Sequence, residues 1–136
     1  MITVQAIVNG SIDRVWELWT SAAHVIKWNN ASDDWHTPYA ENNLKVGGKF
    51  KYGMASKDGT MSFDFEGEYT DIKEHSLIAY EMADGRKVKV TFEMDVKGVK
   101  IIESFDPETE NSDEIQEKGW QAILDNFKKY VEMTAT

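Results

Sequence analysis

Apolar and polar positions along this chain change period three times, from two to about 3.6, back to two, and to about 3.6 again in the last segment. Ile2, Val4, Ala6 and Val8 alternate and predict a first strand. After Gly10-Ser11 the spacing of Ile12, Val15, Trp16 and Trp19 is helical. Ser11 is a good N-cap, and Asp13 lies in the first turn, where the helix dipole favours a negative charge. A second short helix is predicted from after Ser21, through Val25 and Ile26, to about Trp28, closed by Asn29-Asn30. Residues 33–46 are irregular. Trp35, Thr37 and Tyr39 alternate around His36 and Pro38, and the proline predicts an edge or irregular strand.

From Phe50 onward the period is two. Phe50, Tyr52 and Met54 share a face, and Asp58-Gly59 signals a hairpin. Met61, Phe63, Phe65 and Tyr69 share the next face, with Asp64, Glu66 and Glu68 opposite. Leu77 to Met82 reads as a strand ending at a second hairpin turn, Asp84-Gly85. Val88, Val90, Phe92, Met94 and Val96 alternate with polar residues up to Lys97-Gly98, and Val99, Ile101, Glu103 and Phe105 share a face in the last strand. Pro107 ends the strands. Asn111 or Ser112 then caps the one long helix, whose apolar stripe is Trp120, Ile123, Leu124, Phe127, Tyr130 and Val131. The predicted class is α+β: a curved antiparallel sheet of about six or seven strands wrapped around a long C-terminal helix, with two short helices after strand 1. One helix covering one sheet can enclose an apolar space.

At 136 residues the chain is expected to be a single domain, 1–136. It contains no cysteine, which removes disulfides and thiolate chemistry and fits a cytoplasmic location. The N-terminal stretch does not read as a signal peptide, and no segment has the apolar run of a membrane span. A net charge of −9 argues against nucleic acid and anionic membrane surfaces as partners.

Ordered motifs along nearly the whole chain add to this picture. They are Val15-Trp16-Glu17-Leu18-Trp19, Ala23-His24-Val25-Ile26-Lys27-Trp28 and Leu44-Lys45-Val46-Gly47-Gly48-Lys49-Phe50. Phe63-Asp64-Phe65-Glu66-Gly67-Glu68-Tyr69, Asp84-Gly85-Arg86, Glu103-Ser104-Phe105 and Gly119-Trp120-Gln121-Ala122-Ile123-Leu124 follow. In order and spacing they resemble the helix-grip fold of the START and Bet v 1 superfamily, in the branch named after the activator of Hsp90 ATPase. The resemblance implies a hydrophobic cavity between sheet and final helix, which the superfamily uses for lipids, sterols, polyketides and other apolar ligands. It implies no reaction and no transferable catalytic motif. Eukaryotic Hsp90 activators carry an additional N-terminal domain that contacts the chaperone, which this sequence does not show, so Hsp90 is not an expected partner.

The residues expected to face a ligand are Trp35, Phe63, Phe65, Tyr80, Met82, Phe92, Met94, Glu103, Trp120 and Leu124. Glu103 is the polar candidate: an inward carboxylate must be paired, protonated or facing a wet cavity. Gly119, inside the last helix, suggests either close packing on the sheet or room for a ligand beside Trp120. His24, His36 and His75 have no ligand spacing, so no metal is expected, and no cofactor or catalytic residue is assigned. Three functions stay open: a binding protein for an apolar or amphipathic small molecule, a cyclase- or dehydratase-type enzyme in which Glu103 or His36 moves a proton, and a protein-interaction module. A homodimer is compatible with each.

Overall fold

Strand alternation decides which face of the sheet becomes the interior. In the last strand, Val99, Ile101, Glu103 and Phe105 are all buried, while the residues between them are half-buried. A computed structural model describes residues 1–134. Its elements are β1 (Ile2–Val8), α1 (Ile12–Thr20), α2 (Ala22–Trp28), β2 (Trp35–Asn42), β3 (Lys49–Ser56), β4 (Ser62–Lys73), β5 (Leu77–Met82), β6 (Lys87–Asp95), β7 (Gly98–Phe105) and α3 (Asp113–Thr134). The seven strands form one antiparallel sheet in the order β1-β7-β6-β5-β4-β3-β2. β1 therefore pairs with the last strand, and the two short helices carry the chain to the opposite edge.

Both predicted caps form. The Ser11 hydroxyl accepts from the Arg14 amide at 3.2 Å, and Ser112 accepts from Ile115 at 3.2 Å. Gln116 then ties the loop before α3 to its first turn, bonding the amide and carbonyl of Glu108 at 2.8 and 3.1 Å. Proline 38 lies in β2, an edge strand whose register shifts between His36 and Tyr39.

The other edge, β1, is covered by α3. Gln121 Nε2 donates to the Gln5 carbonyl at 3.0 Å, and Lys128 Nζ to the Ile7 carbonyl at 2.8 Å. The Glu132 carboxylate accepts from the Asn9 amide at 3.0 Å. These side chains occupy backbone groups that an edge strand would otherwise leave open to another chain. They also fix α3 towards the β1–β7 side of the sheet. Beneath it, Phe127, Leu124 and Val131 join Val8, Val15, Leu18 and Ile101 in a closed core.

Candidate functional site

Anchored along one edge, α3 does not fill the space above β3, β4 and β5. A cavity of about 270 Å³ remains there. Its sheet wall is aromatic: Phe50 and Tyr52 from β3, Phe65 and Tyr69 from β4, and Tyr80 from β5. Trp19 of α1, Trp28 and Asn29 at the end of α2, and Trp120 and Ile123 of α3 close the other side. Ile78, Met82, Met54 and Phe63 complete the apolar lining, and Arg86 and Glu103 add charge-bearing groups.

The walls are braced from behind. Trp120 stacks on Phe105, with ring centres 3.9 Å apart, and meets Phe65 edge-on at 6.0 Å. The Trp28 indole donates to the Leu18 carbonyl at 2.9 Å, linking α2 to α1. Tyr69 donates to Asn42 at 2.6 Å, and Asn42 in turn donates to the Thr20 carbonyl at 2.6 Å. Gly67 is required by the close approach of Phe50: a Cβ there would come within 2.7 Å of that ring and 3.1 Å of the Tyr80 ring. Without a side chain at this cross-strand position, Phe50 lies across the sheet and forms part of the wall.

The polar groups in the cavity differ in how far they are satisfied. Tyr69 and Arg86 have protein partners, whereas Glu103 and the Asn29 amide nitrogen have none among the described residues. Glu103 is only 7% exposed. Burial pushes its carboxyl up to about 8, and no hydrogen bond or neighbouring charge among the described residues offsets that shift. Burial likewise pushes the Tyr52 and Tyr80 phenols well above their ordinary value, and Tyr69 to about 12. The Asn29 amide nitrogen is buried and has no partner among the described residues. Arg86 is held at its turn by Asp84, Nε to Oδ2 2.7 Å. At neutral pH the cavity is therefore an aromatic chamber with a protonated acid and an amide N–H, both able to donate.

Six of the ten residues expected at the ligand are in the lining: Phe63, Phe65, Tyr80, Met82, Glu103 and Trp120. Phe63 is half open to solvent and stands at the rim. The other four are not in the lining. Trp35 packs on the Phe63 ring from outside, 5.9 Å between centres. Phe92 and Leu124 belong to the closed core, Phe92 lying edge-on to Trp16 and Trp19. Met94 is 74% exposed, because β6 runs on beyond the aromatic cover that ends at Phe92. Gly119 meets neither expectation, since a Cβ there would find nothing within 4 Å and the residue is not in the cavity wall. The sequence does not mark Trp19, Trp28, Asn29 or Arg86 as lining groups, and it places Phe50, Tyr52, Met54, Tyr69, Ile78 and Ile123 in their elements without assigning them to the site.

A larger depression, about 540 Å³, opens on the rim of β3–β5 among Glu41, Lys51, Glu66 and Glu68. Its charges are solvated and partly paired, with Lys51 3.6 Å from Asp64 and 3.8 Å from Glu66, so it presents no unsatisfied chemistry. Among the described residues no three His, Asp or Glu side chains cluster as metal ligands, and no helix is long and apolar enough to cross a membrane.

Comparison with known proteins agrees with this architecture. The family model described as activator of Hsp90 ATPase homolog 1-like protein matches residues 9–132. The solution structure of an AHSA1-like protein from Aeromonas hydrophila is 42% identical, with a TM-score of 0.91 over 97% of this chain and 92% of the other. A solution structure from Cytophaga hutchinsonii is 50% identical, with a TM-score of 0.84 over 97% and 92%. A crystal structure from Chromobacterium violaceum shares the fold at 18% identity, with a TM-score of 0.83 over 96% of each chain. No curated protein matches. The aromatic sheet, the grip helix and the matched length agree: this chain belongs to the activator of Hsp90 ATPase homolog 1-like family.

Proposed function

We propose that the protein binds an apolar or amphipathic small molecule in the cavity between β3–β5 and α3. The observation that carries this reading is an aromatic chamber of about 270 Å³ holding a carboxyl with no partner among the described residues. A residue that served only the core would be apolar there, because burying a carboxyl without a partner is costly. A cavity of 150 Å³ accommodates benzene, so this one suits a ligand of about eleven non-hydrogen atoms. At about −0.5 kcal/mol per atom, the dissociation constant is on the order of 100 μM.

Turnover is a weaker reading. A general acid needs a second group to position it or to complete the proton transfer, and nothing among the described residues bonds to Glu103. His36, the alternative proton carrier, is exposed and is not in the cavity lining.

The test is an NMR titration with tetralin, a bicyclic hydrocarbon of the right size. Saturable shifts of the Trp19, Trp28 and Trp120 indole N–H groups are expected. No saturable shift up to the solubility limit, or shifts confined to the outer strand face, would refute the proposal.

A further inference from the structure

The unsatisfied groups in the cavity indicate what kind of ligand it takes, if it binds one as proposed above. We infer that the site selects an apolar ligand headed by a hydrogen-bond acceptor, such as a carbonyl oxygen, received by the Glu103 carboxyl and the Asn29 amide.

Both groups line the same space and both are more than nine-tenths buried, at 7% and 8% exposed. The Asn29 amide nitrogen is a donor with no partner among the described residues, although the Asn29 backbone carbonyl is satisfied by the Thr37 hydroxyl. Thr37 thus holds the backbone of Asn29 in place, while the amide stays free for a guest. Glu103 is fixed by its strand, paired to Val4 on one side and Val90 on the other, both fully apolar neighbours. An isolated carboxyl in such surroundings takes up a proton rather than remain charged, and then presents an O–H. Arg86, on the same lining, carries only donors and is positive. The Tyr80 hydroxyl, on the same wall, can also donate. The chamber therefore offers N–H and O–H groups to its guest. A fixed organic cation is the main rival, since aromatic walls attract cations. Arg86 and the Asn29 N–H oppose it.

This preference has a pH signature belonging to one group. The titratable and charged groups that share the cavity with Glu103 are Tyr52 from β3, Tyr69 from β4, Tyr80 from β5 and Arg86 from the β5–β6 turn. α1, α2 and α3 contribute Trp19, Trp28, Asn29, Trp120 and Ile123, none of which titrates. The tyrosines stay protonated past pH 10, because burial raises all three. Among the groups lining the cavity, only the Glu103 carboxyl changes state between pH 6.5 and 9.5, with its midpoint at about 8.

Equilibrium dialysis with 1-tetralone, tetralin and phenyltrimethylammonium at pH 6.5 and 9.5 tests the inference. None of these probes titrates, and tryptophan fluorescence confirms folding at both values. At pH 6.5 the ketone should bind about tenfold or more tightly than the hydrocarbon, because the hydrocarbon leaves buried donors unmet. At pH 9.5 the affinity of the ketone should fall about thirtyfold, because the ionised carboxyl no longer donates to it. Glu103→Leu should reduce the preference, leaving only what the Asn29 amide supplies, and Glu103→Gln, which keeps an N–H donor, should remove the pH dependence. Equal binding of ketone and hydrocarbon at pH 6.5 would overturn the inference but leave the binding function standing. So would tighter binding of the cation, rising with pH. Binding of none of the three would overturn the function itself, and the inference with it.

Discussion

Replacing Glu103 with glutamine should stabilise the protein, by an amount that depends on pH in a defined way. The folded state holds this carboxyl at about 8 against an ordinary 4.5, with burial as the cause. An acid raised on folding is most favourable to the native state when both states are protonated, below pH 4.5. Above that, the unfolded chain loses its proton while the native chain keeps it, and stability falls by about 1.4 kcal/mol per pH unit. The fall ends near pH 8, where the native carboxyl also ionises. The accumulated cost is about 3 kcal/mol at pH 7 and about 5 kcal/mol above pH 8. Glutamine has nearly the same shape and does not titrate, so the difference between variant and wild type isolates this one group. For a chain of this length, about 3 kcal/mol corresponds to a melting temperature about 10 °C higher at pH 7. The assay is urea unfolding of both proteins at half-unit steps from pH 4 to pH 9. A difference curve that stays flat from pH 5 to pH 8 would show that Glu103 is solvated or paired, and the reasoning about the cavity's polar groups would fail with it.

Two further substitutions examine the scaffold. Gly119→Ala should stabilise by about 1 kcal/mol in urea unfolding, because the added methyl meets nothing within 4 Å and only helix propensity changes. Gly67→Ala should destabilise by about 1–3 kcal/mol and weaken tetralin binding, since its Cβ would press on Phe50 and Tyr80; unchanged indole shifts on titration would contradict that role.

The elements were legible in the sequence, and the site was legible in part. Alternation from Phe50 to Phe105 placed every strand of β3–β7, because one buried face leaves a pattern of period two. The same pattern placed Glu103 inward. What alternation cannot give is depth. Phe92 and Phe65 share the inward face, yet Phe92 lies in closed core under two tryptophans and Phe65 lines a void. Met94 continues the parity of Phe92 but lies beyond the helical cover, so parity did not bury it. Asn29 was hidden for another reason. An asparagine after a helical run is a common terminator, and it does close α2 here. That role accounts for its presence in the sequence without revealing that its side chain is buried and unsatisfied.

The hollow follows from how α3 is attached. A helix laid centrally over a strongly curved sheet would bury its stripe evenly and leave little room. Here Gln121, Lys128 and Glu132 bind the backbone of β1 and its exit, which places the helix over one edge. Leu124, Phe127 and Val131 then fill that side completely. On the other side the sheet curls away, and the reach of Trp120 is spent on stacking against Phe105. Collapse of the remaining gap would require moving Phe50, Tyr69 or Trp28, each fixed by a glycine opposite it or by a hydrogen bond behind it. Two residues in this lining break the rule of apolar burial, Asn29 and Glu103, and of the two only Glu103 carries an ionisable group. Natural sequences keep such a violation where function uses it. A carboxyl that weakens the fold by about 3 kcal/mol at neutral pH has no group around it, among the described residues, that offsets this cost, which is the ground on which the proposed binding function rests.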